Sequence, residues 1–416
     1  MGDNKFRRNF VLVFCLSTIL FFRPIQISEQ LLYYTFYFLF LITSIIVVFS
    51  YKTSSGNTYI FPMLLLLLAE LISGFSAVYS WGQSIMDSLI ALTPSLSYIL
   101  FILLLIWKFK TKNIEMIFVI LASCYIVAFA ISFLIYPLQV FGGNGYGDER
   151  GFQRIAINGS GYLFLLSFYS LNQYFIKKNI NWLFVYAITL VFIIMTLSRM
   201  LITVSLLLST LYFLRKSSLI KRIVSILILS FCMYMVSNIS FVKNLIDITN
   251  KQQEQKEDDI RVQSANFYIN DFSPNLFSRI FGNGIPYKES QYSESVKRYE
   301  DDYGYYISDI GWIGLYTKFG LLALLAYIII IYKTFKIAVP EKYVYTKYFL
   351  YFVFIISIII DAPFNNNFIP SIVFALYIVS IQDNSNLKNN SFNKLKSHIN
   401  YVQFSDSHSC IQKHLF

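Results

Sequence analysis

Residues 64–74 read LLLLLAELISG, an unbroken apolar stretch with a single carboxyl group, Glu70, in its middle. Extended in both directions, the stretch becomes an apolar run over 59–79, which is the length of one membrane crossing of about 20 residues. It is one of twelve such runs, at 9–22, 31–50, 59–79, 88–107, 114–136, 155–174, 182–198, 200–214, 222–240, 309–332, 344–361 and 368–381. The whole chain of 416 residues is 56% hydrophobic and only 14% charged, against about 25% charged in soluble domains. The runs are continuous rather than alternating, which excludes a β-barrel. The fold expected is an all-α polytopic membrane protein of about 12 transmembrane helices. The 182–214 block, divided at Ser198-Arg199, is read as two helices because one helix of that length would overrun the bilayer.

The net charge of +11 is not spread evenly. Lys5, Arg7 and Arg8, then Lys108, Lys110 and Lys112, Lys177 and Lys178, Arg215 and Lys216, and Lys333 and Lys336 lie in alternate loops. Basic loops stay on the cytoplasmic side, so both termini are expected there, in a bacterial inner membrane. The basic excess then reports topology, and no nucleic-acid partner is implied. Four domains follow. Residues 1–240 form a transmembrane bundle of nine spans with an outer loop at 137–154, and residues 241–308 form a long periplasmic loop between spans 9 and 10. Residues 309–382 form the last three spans, and 383–416, rich in Asn, Ser and Lys, form a disordered cytoplasmic tail. The long loop carries aromatic residues throughout, enough for a small core of its own. Within it 251–269 reads as a helix and Gly282-Asn283-Gly284 as a turn.

The three histidines are His398, His408 and His414, so any chemistry upstream must use Asp, Glu, Arg, Lys or Tyr. The cysteines, Cys15, Cys124, Cys232 and Cys410, have no metal-ligand spacing, and neither a metal site nor a cofactor is expected. Arginines on the outer side run against the topology signal. Arg150, Arg154 and Arg199 stand at outer helix ends, and Arg261 and Arg279 in the long loop. Guanidinium groups there either grip phosphate or carboxylate or simply snorkel and pair with loop acids. Asp309 opens the tenth span, where it is either a helix cap or a base at the membrane surface. Asp361, at the end of the eleventh span, has a weaker claim of the same kind, and Lys318, three turns into the tenth, either faces a polar cavity or snorkels. Glu70 is a functional hypothesis by its position halfway through its span, where a proton-coupled transporter would put a carboxyl, with an acid that is simply protonated or hydrogen-bonded to a neighbouring helix as the other reading.

Four segments carry a resemblance to a known family: ERGFQRIAINGSGYLFLL (149–166), with Arg150, Gly151 and Asn158; TLSRMLITVSLL (196–207), with its Ser-Arg pair; the long outer loop with Gly282 and Gly284; and SDIGWIGLYTKFGLLALLAY (308–327), with spaced glycines. In this order they resemble the bacterial O-antigen polymerases, in the superfamily that also holds the O-antigen ligases. The resemblance implies a glycosyltransferase that moves a growing glycan from undecaprenyl diphosphate onto a new lipid-linked repeat unit. Arg150, Arg154, Asn158, Arg199, Arg261 and Arg279 would then bind substrate, and Asp309 would orient or deprotonate the acceptor. Lipid-linked repeat units, membrane lipid and a chain-length regulator would be its partners. Ligases of the superfamily use a histidine in the long loop, and 241–308 contains none, which favours a polymerase. A lipid-linked oligosaccharide flippase is the rival of a different class.

Overall fold

The computed structural model describes residues 2–18, 29–50, 57–136, 138, 141, 146–149, 152–155, 157–216, 260–288 and 290–383. Helices α1 (Gly2–Thr18), α2 (Glu29–Ser50), α3 (Ile60–Trp81), α4 (Ile85–Leu92), α5 (Ile99–Ile106) and α6 (Thr111–Leu134) come first. A hairpin of β1 (Tyr146–Glu149) and β2 (Phe152–Ile155) follows, pairing Gly147 with Arg154 and Asp148 with Gln153. Then come α7 (Ser160–Lys177), α8 (Asn181–Met195) and α9 (Arg199–Lys216). Beyond them are α10 (Ile260–Asn270), α11 (Leu276–Phe281), α12 (Gln291–Tyr303), α13 (Gly311–Lys336), α14 (Val344–Ile356) and α15 (Ile369–Asp383).

The expectation of about 12 transmembrane helices is overturned. Among the described residues three helices are long and apolar enough to cross a membrane, α3, α6 and α13, and a fourth crossing is reached if α4 and 95–106 are one bent span. Several of the other apolar runs fall short for visible reasons. The run at 344–361 gives a helix of 13 residues and then turns. The run at 182–198 gives one of 15 residues, ending where Leu197 takes a positive φ of 55°. The run at 155–174 starts in β2 and enters α7 only at Ser160, and α7 carries Ser167, Ser170, Asn172 and Gln173, all buried. Helix α9 contains Arg199, Arg215 and Lys216. The run at 222–240, residues 241–259 and the tail from 384 lie outside the described residues. The β-hairpin also departs from the all-α expectation. What stands is a chain with a few apolar helices of membrane length, whose outward faces carry Phe61, Phe75, Val127 and Leu134, consistent with lipid contact.

Helices α3 and α13 pack along each other and run antiparallel. At one end the Tyr59 and Thr334 hydroxyls lie 3.0 Å apart, and at the other the Trp81 indole donates to Asn283, whose backbone N–H donates to the Thr317 carbonyl at 2.8 Å. Gly82 stops α3 in the left-handed conformation, its N–H reaching back to the Val78 carbonyl. Ser84 caps α4 by accepting from the Asp87 N–H. Pro94, which has no N–H and clashes with a continuing helix, separates α4 from the turn at Ser95–Tyr98 and bends the path by 48°. The large aromatic and aliphatic core joins α1, α3, α5, α6, α7, α13, α14 and α15. A second, smaller core of Tyr268, Phe272, Tyr292, Val296, Ile307 and Ile310 lies over the Trp81 end of α3.

Candidate functional site

The site is built where α13 breaks. Gly320 sits at φ 78° and ψ −173° within that helix, so the carbonyls of Thr317 and Lys318 lose their helical partners. The segment after α11 replaces them. Asn283 N–H and Gly284 N–H donate to the Thr317 and Lys318 carbonyls, each at 2.8 Å. A Cβ on Gly282 would stand 2.4 Å from the Lys318 carbonyl oxygen. The two glycines of the sequence turn are therefore there to let one backbone lie against another. A break in a helix of membrane length survives only when other protein groups satisfy its freed backbone.

Beside the break, the Lys318 ammonium pairs with Asp361 at 2.5 Å, both side chains largely buried. The Asp361 N–H donates to the Ser308 carbonyl, which ties the end of the 357–361 turns to the entry of α13. The Ser308 hydroxyl donates to the Asp309 carboxyl at 3.3 Å. Asp309 lies in the short helical turn Ile307–Asp309 and does not cap α13, so the cap reading is not what the structure has. Across from it is Glu300, near the end of α12. Burial and then the neighbouring Asp301 push the Glu300 carboxyl above the usual range; Lys318 and Lys297 oppose this, and Asp309 adds to it. Glu300 is thus within electrostatic reach of a second carboxyl group, from a separate element, and of a paired lysine near the start of a membrane-length helix.

The aromatic layer fixes this spot. Trp81 stacks on Tyr292 with centroids 4.6 Å apart and an interplanar angle of 19°, and the Tyr268 hydroxyl donates to the Tyr305 carbonyl. Buried Gln83 uses its whole amide. It donates to Ser88 and the Ile285 carbonyl and accepts from the Tyr287 N–H and the Ser290 hydroxyl. Tyr303 and Tyr306 are left exposed, flat faces of the kind that stack on sugar rings.

The expected site residues fare differently. Asp309 is in the cluster. Asn158 is half-buried in the turn before α7, at the same end of the bundle, where the Asn367 side chain accepts from the Gly159 N–H at 2.8 Å. Arg199 opens α9 at that end and is half-buried. Arg261 is exposed on α10. Arg279 is exposed and donates to the Ile269 and Asn270 carbonyls at 3.1 and 3.4 Å, finishing α10 from outside. Arg154 lies on β2, and Arg150 is outside the described residues. Glu300 was not anticipated: SVKRYEDDY (295–303) reads as a solvated charged face, and its partial burial within electrostatic reach of Tyr268 distinguishes it.

No family model, curated protein or solved structure matches this chain. The resemblance to the O-antigen polymerases thus gains no support from comparison. The polymerase assignment, and the flippase that was its rival, both assumed about twelve spans. They fall with that count, as does the placement in lipopolysaccharide synthesis.

Proposed function

We propose that the chain is a membrane-associated glycosyltransferase acting on a saccharide donor carried by a lipid diphosphate. The observation that supports this reading is the partly buried Glu300 carboxyl, within electrostatic reach of Asp309 and Lys318 near the start of a membrane-length helix. An acceptor hydroxyl attacks the anomeric carbon, the bond from that carbon to the diphosphate oxygen breaks, and the lipid diphosphate leaves with the electron pair. The hydroxyl proton passes to a carboxylate. Glu300 suits this role because a base works best when its proton affinity lies near the working pH. Asp309 orients the acceptor. A lipid tail fits the outward apolar faces of α3 and α13, and the exposed rings of Tyr303 and Tyr306 suit a saccharide. The opposite end of the bundle holds Lys108, Lys110, Lys112, Lys177, Lys178, Lys333 and Lys336, so positive-inside bias favours a site facing away from the cytoplasm.

The test is transfer by the purified protein in lipid nanodiscs, using a polyprenyl-diphosphate-linked saccharide donor and a free saccharide acceptor. Because Glu300 must lose its proton to act and is held above the usual glutamate range, turnover rises with pH beyond that range. The expected result is that Glu300→Gln lowers turnover about 100-fold or more and abolishes this acid limb, with Asp309→Asn raising the acceptor KM. Wild-type turnover and an unchanged pH profile in Glu300→Gln would overturn the assignment.

A further inference from the structure

Glu70 lies halfway along α3 with no exposed surface, and neither carboxyl oxygen takes a hydrogen bond from a described residue. It faces the broken helix. Ser95, just past Pro94, is the hydroxyl on that side, but it donates to the Leu92 carbonyl at 2.9 Å. The Ser97 hydroxyl is buried and also unpartnered. The Tyr98 hydroxyl lies within electrostatic reach of Glu70 and donates to the Pro363 carbonyl at 2.5 Å.

We infer that Glu70 is a proton-binding site inside the bundle, a carboxylic acid beside the helix break at Pro94. An unpaired carboxylate in such a place is costly, and the proton removes that cost. A metal cation is the competing occupant, and the break does not supply its ligands. The Leu89 carbonyl accepts from Thr93, the Leu92 carbonyl from Ser95 and the Pro94 carbonyl from Ser97. Among the described residues no three acids, histidines or cysteines gather. The elements packed on α3 bring few other charges. Helix α4 brings Asp87, bonded to Ser84; α11 brings Arg279, turned to α10; α12 brings exposed Glu294. Helix α13 brings Lys318, held by Asp361, and Tyr327, which donates to Ser357. Tyr98 is the one in reach of Glu70.

Loss of the proton has a consequence away from Glu70. The ionised form acts electrostatically on the Tyr98 hydroxyl, which donates to the Pro363 carbonyl.

Dicyclohexylcarbodiimide, which reacts with protonated carboxyl groups in apolar surroundings, is the probe. The purified full-length protein in nanodiscs is treated across a pH series, and the adducts are located by peptide mass mapping. The expected result is an adduct on Glu70 at neutral pH, its rate falling about tenfold per pH unit once the acid is mostly ionised. Ser95→Ala removes the hydroxyl that faces the carboxylate and shifts that fall to higher pH. A carboxylic-acid carbonyl band in the infrared spectrum, lost in Glu70→Gln, is the second measurement. If that variant does not fold, Glu70→Asp keeps the acid and shifts the band. No adduct on Glu70 in folded protein, or labelling suppressed by sodium at constant pH, would overturn the inference, the latter by making the site one for a metal cation.

Discussion

Glu70 on α3 and Lys318 on α13 are both ionisable side chains inside helices of membrane length, and the two helices pack antiparallel along each other. Their surroundings differ. Lys318 lies two residues from the break at Gly320, where the chain from another element enters and Asp361 arrives to pair with it. Glu70 lies in an uninterrupted helix, and among the described residues no charged group pairs with it. A charge near a break can be matched by a partner brought in with the entering backbone. A charge in mid-helix has only its own proton to neutralise it. The two regions therefore respond oppositely to removal of the group.

The largest expected effect is at the pair. Lys318→Ala leaves Asp361 buried without its cation, which costs about 3 kcal/mol, read as a drop in unfolding temperature in detergent. The double variant Lys318→Met with Asp361→Leu recovers most of this. Glu70→Leu, by contrast, changes stability by less than about 1 kcal/mol, since an apolar group replaces one that had no partner. Equal losses at Lys318 and Glu70 would erase the contrast.

Next is the break itself. Gly282 has φ 88°, and a Cβ there would meet the Lys318 carbonyl oxygen and the Gly320 nitrogen within 2.5 Å. Backbone cannot move aside, so Gly282→Ala costs about 2–3 kcal/mol. Gly82, at the end of α3, has φ 65° with nothing within 4 Å of its Cβ position, and Gly82→Ala costs about 1 kcal/mol from backbone strain alone. Thermal unfolding of the two variants compares them. A difference near zero would mean the entering chain does not press on α13.

The sequence makes some of this plain and hides the rest for physical reasons. The α3 and α13 spans are legible because their apolar runs are long and carry few charges. The twelve-span count fails because an apolar run records burial of either kind, in lipid or in protein. Helix α7 is apolar enough to count as a run, yet it is surrounded by α6, α8 and α14 and holds four buried polar side chains. In the candidate site, Asp309 and the Gly282-Asn283-Gly284 turn stood out, the former by position and the latter by composition. The turn's function did not, because it depends on Gly320, thirty-six residues beyond Gly284 and separated from it by α12. Asp361 and Lys318 were visible as odd charges, but their pairing is a tertiary fact. Glu300 was hidden among the charges of its own helix.

The smallest effect tests how far an outer arginine implies a ligand. Arg279 has the residue type and location that suggest diphosphate binding, yet its guanidinium is spent on the last carbonyls of α10. A cation at a helix C-terminus is worth about 0.5 kcal/mol when exposed, so Arg279→Ala lowers stability by about that amount. Arg279→Lys, a point charge without the planar fork, retains part of it. Donor KM in the transfer assay stays at the wild-type value for both variants. A tenfold rise in KM for Arg279→Ala would show instead that the guanidinium leaves α10 when donor binds, and the charged edge of the aromatic layer would then belong to the same site as Lys318.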